Sequence, residues 1–94
     1  MKESKLESNC NKLARLMGWV TYKGLGDVGA SDGVYLKDGR GFTCEFKSDK
    51  GNQSKVQKLH QKELINARVP YYLIRSVDEF KDVILIEEDK FERK

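Results

Sequence analysis

Asp32 and, thirteen residues further on, Glu45-Phe46-Lys47 are the residues whose types and spacing can do chemistry. The turn between them decides how they meet. Lys37-Asp38-Gly39-Arg40 places an Asp-Gly pair between strand-like residues, a strong short-range signal of a β-hairpin. A two-residue loop at Asp38-Gly39 pairs Lys37 with Arg40, Tyr35 with Phe42 and Asp32 with Glu45. Opposed side chains on paired strands have Cβ atoms about 4.5–5.5 Å apart, and like charges there destabilise a sheet unless something neutralises them. A divalent cation does so. Strand side chains alternate, so Lys47 shares the face of Glu45 while Phe46 points away. Two acids and a base on one surface are a way to build a metal-dependent phosphodiesterase. A three-residue loop with a bulge would shift the register by one and undo the pairing.

Other elements must position these groups. Leu6, Cys10, Leu13, Ala14 and Met17 recur at helical spacing and Gly18 supplies a stop, which predicts an amphipathic helix from about Ser4 to Met17 with its apolar stripe on a sheet. Trp19 to Lys23 reads as a first strand. Gly24-Leu25-Gly26-Asp27-Val28-Gly29 reads as a loop opening near the acids. Ser54 to about Arg68 is a second helix with Val56, His60, Leu64 and Ala67 inward. Tyr71 to Arg75, bounded by Pro70 and Ser76, is a short apolar strand suited to a buried sheet position. Ser76-Val77-Asp78-Glu79 can cap a short helix, Val83 to Ile86 form a last strand, and the charged tail from about residue 88 fray. The expected class is α/β, a central mixed sheet flanked by helices, in the order αβββαβ followed by a short αβ.

Composition bounds the reading. The 94 residues make a single domain, and no internal repeat or low-complexity segment divides them. Lys plus Arg number 18 against 15 Asp plus Glu, and a net charge of +3 favours an anionic partner without requiring one. No apolar run approaches the roughly 20 residues that span a bilayer, and Met-Lys-Glu-Ser lacks the apolar stretch of a signal peptide, so the expected location is the cytoplasm, away from membranes. Cys10 and Cys44 have no metal-ligand spacing and are expected as reduced core residues, which argues against zinc.

Taken together, these residues and their order resemble the PD-(D/E)XK nuclease superfamily and, within it, the virus-type replication-repair nuclease domain, VRR-NUC. The resemblance rests on Glu7, Lys23, Gly29-Ala30-Ser31-Asp32, Glu45-Phe46-Lys47, Gly51-Asn52-Gln53-Ser54-Lys55-Val56-Gln57 and Ser76-Val77-Asp78-Glu79, and spans nearly the whole chain. Ser31 departs from the family's proline before the first acid and relaxes a backbone restraint there. The resemblance implies a restriction-endonuclease-like core and Mg²⁺ or Mn²⁺ dependent hydrolysis of DNA phosphodiesters, with no organic cofactor. Asp32, Glu45, the Phe46 carbonyl and Glu7 would hold the cation, and Lys47 and Gln57 would serve the attacking water. Lys23, Lys50, Lys55 and Lys58 would meet DNA. It further implies a homodimer of the kind carried by phages in bacterial hosts, acting on branched DNA such as four-way junctions. Leu59 and Ile65, off the inward stripe of the second helix, are available to pair two copies.

Each of these residues also has a plainer reading. Asp32 suits a turn, and Glu45 and Lys47 suit an exposed alternating edge face. Gln57 follows Ser54 by three, and Glu7 follows Ser4 by three, so both fit capping boxes. Glu3 also lies inward and competes with Glu7 as the helical acid. Lys23 suits a solvated strand, and His60 a packed imidazole. A non-catalytic DNA-binding module would keep the lysines without needing a cation, and a purely structural protein would use the acids in salt bridges alone.

Overall fold

The computed structural model describes residues 2–23, 32–48 and 52–92, with the side chains of Asp32, Val56, Phe91 and Glu92 outside that description. The elements are α1 (Glu3–Leu16), β1 (Val20–Lys23), β2 (Asp32–Lys37), β3 (Arg40–Phe46), α2 (Lys55–Asn66), β4 (Tyr71–Ile74) and α3 (Val77–Glu92). The strands form a four-stranded mixed sheet in the order β1-β2-β3-β4, in which only the β3–β4 pair is parallel. This is an α/β fold with helices on both faces of the sheet. The Gly24–Gly29 loop lies outside the described residues.

The hairpin forms as its turn chemistry requires. Asp38 and Gly39 have φ of 50° and 78°, the left-handed pair of a type I′ turn, a conformation that Asp tolerates and Gly adopts freely. Lys37 pairs with Arg40, Tyr35 with Phe42 and Asp32 with Glu45. A second glycine is needed for space: a Cβ at Gly33 would lie 2.6 Å from the Tyr35 hydroxyl, which donates to Asn11 Oδ1 at 2.6 Å. The residue after Asp32 therefore stays bare so that the Tyr35 ring can lie over it.

On one face of the sheet, Tyr35, Phe42, Cys44 and Phe46 pack with Leu6, Cys10 and Ala14 of α1 and Phe80, Val83 and Ile84 of α3. Phe42 is the centre of an aromatic cluster, stacked on Tyr35 at 4.9 Å and edge-on to Trp19 at 5.0 Å. Both cysteines are buried free thiols, as expected. Burial pushes the Cys10 thiol up to about 12, so it carries almost no reactive thiolate at neutral pH. The opposite face carries Thr43, Glu45 and Lys47 and is covered beside β4 by α2.

Several sequence expectations are corrected. The short helix and last strand are one helix, α3, which runs through the presumed tail to Glu92. Phe80, Val83, Ile84 and Glu87 are its buried residues, at a helical period that the apolar run Val83-Ile84-Leu85-Ile86 disguises. Glu88, rather than fraying, accepts from Trp19 Nε1 at 2.9 Å and Lys37 Nζ at 2.7 Å and so ties α3 to the hairpin. β4 ends at Ile74 and is an edge strand, with Tyr71, Tyr72 and Leu73 only half-buried. α1 starts at Glu3 with Lys2 as N-cap and no side-chain cap bond, so Ser4 and Glu7 form no capping box. Trp19 precedes β1 and belongs to the core. Ala67 is the exposed C-cap of α2 and faces no core. Among the described residues no helix is long and apolar enough to cross a membrane.

Both α1 and α2 end in the same way. After α1 the Gly18 and Trp19 amides donate to Arg15 and Ala14 carbonyls; after α2 the Arg68 and Val69 amides donate to Ile65 and Leu64 carbonyls, each at 2.9–3.0 Å. The residue in the left-handed position is Gly18 in one case, φ 89°, and Arg68 in the other, φ 61°. A side chain there costs about 1 kcal/mol that glycine avoids. Arg68→Gly is therefore expected to raise the unfolding free energy by about 0.5–1 kcal/mol, less the extra chain entropy of glycine, read as the denaturant midpoint.

Candidate functional site

The hairpin register sets Asp32 directly across from Glu45, the last pair of the β2–β3 ladder. Glu45 is 1% exposed and Lys47 9%, which overturns the reading of an exposed alternating edge. Past the end of β3 the chain keeps its direction, because the Lys47 amide donates to the Ile74 carbonyl at 3.0 Å. In a trans peptide the carbonyl points opposite to the amide. The Phe46 carbonyl therefore points to the β2 side, where Asp32 stands, while its ring is buried in the core.

The Glu45 carboxylate is held asymmetrically. Its Oε1 accepts from the Tyr71 hydroxyl at 2.6 Å, a charge-assisted bond, with Gln53 Nε2 at 3.5 Å beyond it. Its Oε2 is buried and has no hydrogen-bond partner among the described residues. Burying a carboxylate oxygen unpaired is costly, so such an atom calls for an explanation. The two amide hydrogens of Gln53 are better spent on Gln61 Oε1 at 3.0 Å and the Tyr71 oxygen at 3.3 Å. A chain of donors thus runs from Gln53 through Tyr71 to Glu45. Neither Tyr71 nor Gln53 is apparent from the sequence motifs; the one available signal is a tyrosine beside Pro70 at the start of β4, which the parallel register sets next to Thr43.

Gln57 fills its other expected role. Its Oε1 accepts from the Ser54 amide at 2.8 Å and its own amide donates to Ser54 Oγ at 3.1 Å, a complete capping box. The side chain is buried, and Gln53 rather than Gln57 reaches Glu45.

The two helical acids separate in role. Glu3 Oε1 accepts from the Ser48 amide at 3.3 Å, tying the start of α1 to the end of the Glu45–Lys47 segment. Glu7 lies on the α1 side of the sheet, near enough to Lys23 for the lysine to lower its pKa, while burial raises it more. The core residues of α1 pack on one face of the sheet, and the Glu45 side chain is on the other. With its pKa above the usual 4.5, Glu7 favours the folded state most when protonated; stability is lost as pH rises from the unfolded value through the folded one. Glu7→Gln is expected to raise the melting temperature at pH 7 and to change it little at pH 3.5, both in EDTA.

Lys23 is exposed at the end of β1, and Lys55 and Lys58 are exposed on α2; Lys50 lies outside the described residues. His60 is half-buried and faces Glu63 at 3.6 Å. Among the described residues no three His, Cys, Asp or Glu side chains cluster to hold a metal, a group that leaves out the Asp32 side chain. No family model matches the chain, and neither does any curated protein or solved structure.

Proposed function

We propose that the chain is a divalent-cation-dependent deoxyribonuclease of the PD-(D/E)XK type, hydrolysing phosphodiester bonds in branched or duplex DNA. The observation that carries this reading is the Asp32–Glu45 pair with a buried, unpartnered Glu45 oxygen, beside a buried Lys47. As architecture alone the arrangement is unfavourable twice over, by like charge across a strand pair and by an unsatisfied buried oxygen. As a cation site its chemistry is apt: the Asp32 and Glu45 carboxylates and the Phe46 carbonyl are hard oxygen donors of the kind Mg²⁺ and Mn²⁺ take.

A cation held there would acidify a bound water and neutralise charge on the phosphoryl oxygens. The chain's own residues do the rest. Tyr71 fixes the Glu45 carboxylate so that Oε2 is the free oxygen. Lys47 has the chemistry to position or deprotonate the attacking water, or to offset charge building on the phosphoryl group, and low exposure strengthens either effect. Exposed Lys55 and Lys58 contact backbone phosphates, which give affinity without sequence preference. Glu7 and Lys23 act from the α1 side, where Lys23 meets the DNA strand and Glu7 supports the site. The restriction-endonuclease-like core, the cytoplasmic setting and a homodimer belong to the same reading; Leu59 and Ile65, 56% and 55% exposed on α2, are the residues through which two copies would meet.

The deciding experiment incubates the full chain with labelled four-way, flap, single-stranded and linear duplex DNA in Mg²⁺, Mn²⁺ or EDTA. Cleavage in either cation and none in EDTA is expected, with branched substrates cut fastest. Cation-independent binding without cleavage selects a DNA-binding module instead.

A further inference from the structure

Resting on the reading of Glu45 as a cation ligand, we propose that Tyr71 sets which cation the site accepts, by reserving one oxygen of that carboxylate. The 2.6 Å bond from the Tyr71 hydroxyl occupies Oε1 of a side chain that is 1% exposed, and Gln53 secures the phenol oxygen at 3.3 Å. Gln53 is in turn anchored on Gln61 at 3.0 Å, so the phenol is braced from α2 as well as from β4. Oε2 has no partner among the described residues. Glu45 therefore ligates through a single oxygen. Mg²⁺ and Mn²⁺, small and octahedral, are content with single-oxygen carboxylate ligands. Ca²⁺ takes six to eight oxygens and gains from carboxylates that clasp it with both. Two-oxygen capture here puts the cation on the oxygen that already accepts from Tyr71 and so weakens that charge-assisted bond. A hydrogen bond to a charged acceptor is worth about tenfold or more in an equilibrium constant. Tyr71 is thus a positioning residue that disfavours the larger ion.

The test is calorimetric titration of Mg²⁺, Mn²⁺ and Ca²⁺ into the full chain, for wild type, Tyr71→Phe and Glu45→Gln, with no DNA present. In wild type Mg²⁺ and Mn²⁺ are expected to bind and Glu45→Gln to abolish binding. Tyr71→Phe is expected to lower the ratio of the Ca²⁺ to the Mg²⁺ dissociation constant by about tenfold, in line with the 10–100-fold effects of groups that orient ligands. Melting temperature confirms that the variant is folded. If it does not fold, Gln53→Ala releases the same phenol from its other side and shifts the ratio the same way by a smaller factor. An unchanged ratio with cation binding intact overturns the role of Tyr71 and leaves the cation site standing. No binding by wild type removes both.

Discussion

Glu45→Gln is expected to abolish cation-dependent cleavage, lowering kcat/KM by at least about 10²-fold, while the melting temperature in EDTA stays within a few degrees of wild type. The catalytic side follows from what the charge does. A cation's electrostatic help in phosphodiester hydrolysis is worth several kcal/mol, and each 1.4 kcal/mol is about tenfold in rate. The stability side is a contest of two small effects. The amide keeps an acceptor for Tyr71 but turns a charge-assisted bond into a neutral one, a loss of about 1 kcal/mol. Against this, it removes a like-charge pairing with Asp32 across the strands, worth up to about 1 kcal/mol. The two nearly cancel. Cation then separates the proteins: at a hundred times its dissociation constant it stabilises wild type by about 2.7 kcal/mol, a rise on the order of 10–20 °C for a domain of this size, and the variant not at all. Lys47→Ala is expected to lose 10²–10⁴-fold in rate, roughly the contribution of a positioned acid or base, but to keep the thermal shift. Cleavage that survives in both variants, with folding intact, would falsify the assignment of the site.

What the sequence allowed one to read was what local chemistry decides. Asp38-Gly39 carries its own turn, and once that turn is given the alternation along β2 and β3 leaves no freedom for Asp32 or Glu45; the pairing follows. Gly18 announced the end of α1 for the same reason. Arg68 does the same work at the end of α2 without looking the part, because the two backbone bonds that close the helix offset a left-handed penalty of about 1 kcal/mol. The run Val83-Ile84-Leu85-Ile86 reads as a strand on composition and is helical because only one side of it faces the core: Val83 and Ile84 are buried, Leu85 and Ile86 are not. Half the candidate site was beyond reach. Tyr71 meets Glu45 across 26 residues, through a parallel pairing whose register no turn sets. Which of Gln53 and Gln57 faces the acid depends on where α2 begins: the Ser54 cap takes Gln57, and Gln53, just before it, is left to face the sheet.

The largest effect on stability is expected from Phe42→Ala, a loss of about 3–5 kcal/mol. Phe42 has 0% exposure, and its ring lies within 5.0 Å of both Trp19 and Tyr35 and within 6.3 Å of Tyr72 and Phe80, so the cavity would be walled by rigid rings. Such walls collapse poorly, and the lost ring–ring contacts add to the transfer term. A domain of this length is stable by about 5–14 kcal/mol, so the change removes from a fifth to nearly all of it and lowers the melting temperature by at least about 12 °C. The consequence reaches the site, because Phe42 and Glu45 sit on the same seven-residue strand and face opposite ways. Holding β3 from the core side is what lets a carboxylate be kept buried and half-satisfied on the other. Cation added to Phe42→Ala should therefore recover part of the lost melting temperature, and Glu45→Gln in the same background should abolish that recovery. Thermal denaturation of the single and double variants, with Mn²⁺ and with EDTA, measures both. A loss under 1 kcal/mol would mean that the aromatic cluster does not hold the sheet.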